Sequence, residues 1–88
     1  MKIRKYIEST ELLKFEEVLQ YAYDCDYCIV NYNEEGDKTS VKIFKSHLDQ
    51  VIDVQEQFDE EEAKQTVILA KELLKFMEEN EIDFVRID

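Results

Sequence analysis

Eighty-eight residues carry 22 carboxylates against 11 Lys and Arg, a formal charge of -11, and acid at that density disfavours bare nucleic acid and anionic membrane while leaving basic protein surfaces open as partners. A hydrophobic fraction of 44% with five Tyr and five Phe argues against disorder, and the length fits a single domain, 1–88, burying roughly 60 to 65% of its unfolded surface around one modest core. With no apolar run near ~18 residues and no arginine-rich or apolar leader, the chain reads as cytoplasmic and without a membrane span.

Residues 2–7 are short, β-branched and aromatic, and read as an extended segment. Ser9 and Thr10 can cap a helix over 11–23, in which Leu12, Phe15, Leu19 and Ala22 step by three, four and three and Val18 widens the stripe. The chain has no proline and a single glycine, Gly36. It lies between two β-branched and aromatic runs, 27–32 and 41–45, which predicts a β-hairpin with Gly36 at positive φ.

The stretch 46–58 is ambiguous. Leu48, Val51 and Ile52 fit a short helix, while 51–54 also fits a strand; an extra strand or irregular arm is the favoured reading. Asp59 can then cap a helix whose first turn holds Glu60, Glu61 and Glu62, where carboxylates suit the positive end of the macrodipole. Ala63, Val67, Ala70, Leu74 and Met77 step four, three, four, three, Leu73 and Phe76 broaden that face, and Asn80 is a plausible stop. With 82–87 extended, the order is β-α-β-β-α-β. That order predicts an α+β ferredoxin-like sandwich, two helices on one face of a four-stranded antiparallel sheet.

If Ile3, Val30, Val41, Ile43, Val85 and Ile87 face the helices, alternation sends Arg4, Tyr6, Tyr27, Ile29, Lys42, Phe44, Phe84 and Arg86 to the other face. A basic and aromatic sheet raises the idea of base stacking. However, 41–44 lacks the glycine-aromatic pattern of an RNA-recognition sheet, and the net charge opposes a polyanion. Pairing with a second copy, or cover by the 46–58 arm, explains such a face more simply.

Cys25-Asp26-Tyr27-Cys28 is a CxxC, but it follows a helix instead of opening one, so no dipole activates the first thiol. Zinc would need two further ligands, and His47 is the only histidine. Two free thiols and an ordinary histidine are the preferred readings, with no catalytic residues, no metal and no cofactor. Asp59 to Glu62 lacks the alternating spacing of a calcium loop and is explained as a helix start.

Glu78, Glu79, Glu81 and Asp83 have no such explanation, because acid near a helix C-terminus costs ~0.3 to 1 kcal/mol each at most. They form one candidate partner-binding group, and Asp24, Asp26, Glu34, Glu35 and Asp37 form another at the opposite end, with Tyr21, Tyr23 and Tyr27 as aromatic anchors. Short, acidic, cysteine-poor composition resembles that of DNA-mimic inhibitors, including phage anti-defence proteins. What the resemblance implies is a non-enzymatic protein that occupies the basic surface of a nucleic-acid-handling partner. The alternative is a small regulatory or structural homodimer formed through Arg4, Tyr6, Ile29, Lys42, Phe44, Phe84 and Arg86, its acidity serving solubility. Metal or small-molecule binding through the CxxC and acid clusters ranks last.

Overall fold

A computed structural model describes residues 14–87 of the chain. The expected strand over 2–7, with Arg4 and Tyr6, and the Ser9 and Thr10 cap lie outside the described residues. Helix α1 spans Glu16–Asp24 and buries Val18, Leu19 and Ala22. Phe15, at its N-cap position, is fully buried and packs its ring 6.2 Å from that of Phe76. Strands β1, Ile29–Tyr32, and β2, Lys38–Phe44, form the hairpin expected around Gly36, whose φ is +87°.

Strand β2 runs directly into helix α2, Lys45–Gln55. This corrects the extra strand or irregular arm favoured for 46–58. In a strand Val51 and Ile52 would point to opposite faces, yet both are buried together with Leu48. Only helical spacing places residues 48, 51 and 52 on one face. Helix α3, Glu61–Glu79, follows a short linker and buries Ala63, Ala70, Leu73 and Met77. Its N-cap is Glu60, which makes no side-chain cap bond, so Asp59 is not the cap. Strand β3, Phe84–Ile87, closes the described chain.

The described elements therefore run α-β-β-α-α-β, a mixed α+β arrangement with three helices and a three-stranded antiparallel sheet in the order β1-β2-β3. In the ferredoxin-like order the N-terminal strand would separate β2 from the last strand. Here β3 pairs with β2 itself, Val41 opposite Ile87, Ile43 opposite Val85 and Phe44 opposite Phe84. The additional helix supplies the reason. One helix between two strands returns the chain parallel to its start, whereas α2 and α3 together add a reversal and bring β3 back antiparallel beside β2.

One core joins these layers. Val41, Ile43 and Val85 on the inner face of the sheet meet Val18 and Leu19 of α1, Leu48 and Val51 of α2, and Leu73 and Met77 of α3. Truncating any of the fully buried large side chains, such as Leu48, costs about 2 to 5 kcal/mol. Helices α1 and α2 pack on β2, and α3 packs chiefly on α2 and also on α1, so the helix ends that carry candidate acids belong to elements sharing one core.

Candidate functional site

The first acidic group is built on two turns. At the end of α1 the amide of Tyr27 donates to the carbonyl of Ala22 at 2.8 Å, and that of Asp26 to the carbonyl of Tyr23 at 3.1 Å. This pair of bonds is a Schellman motif. Asp26 takes the left-handed position usually given to glycine, with φ +62°, and Asp24, Cys25 and Asp26 are exposed. In the hairpin, Asn33 Oδ1 accepts from the amides of Glu35 at 3.0 Å and Asp37 at 2.9 Å. That side chain fixes the loop from which Glu34, Glu35 and Asp37 extend into solvent.

Lys38 joins the two turns. Its Nζ donates to the Tyr23 hydroxyl at 2.8 Å and lies 5.2 Å from that ring's centroid. The bond to the Tyr23 hydroxyl raises the Lys38 pKa above its ordinary value, so the ammonium stays charged. Sequence reasoning missed this lysine, although its position immediately after the loop acids was a usable signal.

The second acidic group repeats the first device. Ile82 donates to the carbonyl of Met77 at 2.8 Å and Glu81 to that of Glu78 at 3.3 Å, with Glu81 at φ +55°. Asn80 ends α3 as expected, and its Nδ2 donates to the carbonyl of Phe76 at 2.8 Å. Glu78, Glu79, Glu81 and Asp83 are exposed. Of the nine candidate carboxylates only Glu79 takes part in a described ion pair, with Lys75 at 3.9 Å. Residues 78–83 lead into β3, which meets the C-terminal end of β2, while the hairpin lies at its N-terminal end. The length of β2, about 20 Å, thus separates Glu34, Glu35 and Asp37 from residues 78–83, whereas Asp24 and Asp26 lead into β1 opposite Lys42 and lie toward the same end of β2 as residues 78–83, a correction to the expected grouping with the hairpin acids.

The tyrosine anchors are partly used by the fold. Tyr21, Tyr23 and Tyr27 are half-buried against the core, and burial raises the Tyr21 hydroxyl pKa, with a bond to Gln55 partly offsetting it. Tyr32, which the sequence did not single out, is the exposed one among the described tyrosines. It immediately precedes the loop that carries Glu34, Glu35 and Asp37, which was the available clue.

The other candidate chemistry has structural explanations. Cys25 and Cys28 are free thiols; burial, then the charge of Asp26, pushes the Cys28 pKa up, which disfavours the reactive thiolate. His47 Nδ1 accepts the amide of Phe44 at 3.0 Å and so caps the start of α2. Burial lowers its pKa, in keeping with a neutral ring whose proton sits on Nε2. Glu61 and Glu62 occupy the first turn of α3, and no three His, Cys, Asp or Glu side chains among the described residues are grouped to hold an ion.

The outer sheet face follows the expected alternation in β1 to β3. Register places Ile29 opposite Lys42, Lys42 opposite Arg86 and Phe44 opposite Phe84. Lys42 Nζ lies 5.2 Å from the centroid of Phe84, and the Phe44 and Phe84 rings are 5.1 Å apart. Tyr27 does not join this face; it lies before β1 and packs against the core. Cover by 46–58 is also corrected, because Leu48, Val51 and Ile52 of α2 enter the core on the inner face.

Comparison with protein-family models, with curated proteins and with solved structures finds no match in any of the three. No helix among the described residues is long and apolar enough to cross a membrane.

Proposed function

We propose that this is a non-enzymatic acidic binding protein that occupies the basic nucleic-acid-binding surface of a partner protein, in the manner of a DNA-mimic or phage anti-defence inhibitor. The observation that carries the reading is that exposed acids stand on bonded turns at both ends of β2, Glu34, Glu35 and Asp37 on the hairpin at one end and the acids of the two helix-end turns, Asp24 and Asp26 with Glu78, Glu79, Glu81 and Asp83, toward the other. The intervening length of about 20 Å corresponds to roughly six phosphates along one strand. Both helix ends are closed by Schellman bonds and the hairpin is fixed by Asn33, so little backbone ordering is needed when the carboxylates meet Lys and Arg of a groove. Their combined field speeds encounter with a basic surface and disfavours a polyanion.

Affinity capture from a cell lysate, with the wild-type chain and a Glu78→Lys/Glu79→Lys/Glu81→Lys variant as paired baits, tests this. A basic, nucleic-acid-handling protein is expected on the first bait and lost from the second. Equal recovery on both baits would contradict the reading.

The second reading is a small dimeric regulatory or structural domain. The outer sheet face favours it, since α2 lies on the other side and leaves Ile29 47% exposed. A dimer through Ile29, Lys42, Phe44, Phe84 and Arg86 would give a concentration-dependent sedimentation coefficient; a monomer at high concentration would exclude it.

A further inference from the structure

We propose that the groove between α2 and α3 receives an apolar side chain of a cationic amphipathic segment of the partner. This rests on the function proposed above, and adds where affinity is generated. The groove has a volume of about 310 Å³ and is lined by Phe58, Val67 and Ile68, with Glu56, Asp59 and Lys64 at its rim. Phe58 is 48% exposed and Ile68 49% exposed. Neither belongs to the buried core. Single exposed hydrophobics are ordinary; two large ones lining one groove form a contiguous patch of the kind that marks an interaction site.

Charge selects the occupant. Residues 53–62 contain Asp53, Glu56, Asp59, Glu60, Glu61 and Glu62 and no base, so Phe58 lies within the most acidic stretch of the chain. Lys71 neutralises Glu56 in part, at 3.3 Å, and Lys64 is the one base on the groove rim. An acidic apolar segment would enter against this field, and a neutral one would gain nothing from it. A segment with Lys or Arg flanking a Leu or Phe would be drawn into it. The division of labour is physical: exposed ion pairs contribute only about 0 to 1 kcal/mol each, whereas binding energy concentrates in a few apolar or aromatic side chains buried in a pocket and ringed by polar groups.

The test uses the full chain, isotope-labelled, titrated with a helical Leu-Lys peptide whose leucines follow i, i+3, i+4, i+7 spacing. A scrambled peptide of the same composition and poly-lysine serve as controls. Saturable amide shifts at Phe58, Val67 and Ile68 are expected with the amphipathic peptide, and Phe58→Ser/Ile68→Ser should weaken it about tenfold without altering poly-lysine binding. Ile68→Ser alone, at an exposed helix position, guards against a folding defect and should give a smaller loss in the same direction. Equal binding of scrambled and amphipathic peptides, or insensitivity to both variants, overturns the proposal. So do groove shifts that track protein concentration without peptide, which would assign the groove to a second copy. Failure of the broader reading looks different: poly-lysine binding would then be insensitive to reversal of Glu78, Glu79 and Glu81.

Discussion

Asp26 and Glu81 close two helices from the left-handed region, at φ +62° and +55°, where a Cβ is unfavourable by about 1 to 2 kcal/mol relative to glycine. Asp tolerates that conformation better than Glu because its short side chain bonds locally. Glu81→Gly is therefore expected to raise the denaturation midpoint by an equivalent of about 1 kcal/mol, and Asp26→Gly by less. A fall in the midpoint for Glu81→Gly would show that its side chain supports the fold. Neither position could be recognised from sequence, since the usual glycine signal is missing at both.

His47 makes a second prediction at this scale. Its Nδ1 must be unprotonated to accept the Phe44 amide at 3.0 Å, and burial lowers its folded pKa below the ordinary 6.5. Its contribution is fully present above pH 6.5 and is lost as pH falls below that value toward the folded pKa, because the unfolded chain takes up the proton first. His47→Ala should cost about 0.5 to 2 kcal/mol near neutrality. The stability gap between it and wild type, measured by denaturant unfolding, should narrow at about pH 5; a constant gap would contradict the cap.

Among the elements, the hairpin and α3 were legible because each carries two concordant signals. Gly36 sits between β-branched runs, and Ala63 to Met77 hold an apolar period that ends at Asn80. Helix α2 was not legible, since its apolar residues are few and three β-branched ones lie within 51–54. The error spread to topology, because without α2 the crossover has the wrong number of reversals. Gln50, exposed in the interior of α2, gives a direct check. Gln50→Pro should cost about 3 kcal/mol or more through the lost hydrogen bond and ring clash, and Gln50→Ala should stay within about 0.5 kcal/mol. Equal stability of the two variants would indicate a strand or irregular arm.

At the scale of the molecule, the net charge of -11 is divided among surfaces with different roles. Acids at the start of α3 favour its macrodipole, whereas those on the hairpin and on the two Schellman turns extend into solvent from rigid backbone. The outer sheet face carries Lys42 and Arg86 with aromatic neighbours. Charge segregation was readable from sequence because strand alternation and loop composition are local. The pairing of the α1 turn with the hairpin through Tyr23 and Lys38 was not, because it joins residues 15 apart. The groove at Phe58 was hidden for the same kind of reason, since Ile68 reaches it from another helix.

The central claim is that the exposed carboxylates substitute for phosphates on a basic groove. Its most direct measurement is displacement of duplex DNA from the captured basic partner, followed by fluorescence anisotropy at several salt concentrations. Wild type should displace the DNA, with an apparent affinity that weakens steeply as salt rises, and Glu78→Lys/Glu79→Lys/Glu81→Lys should lose displacement while Cys25→Ser retains it. Displacement that survives the charge reversal, or that is indifferent to salt, would contradict the account.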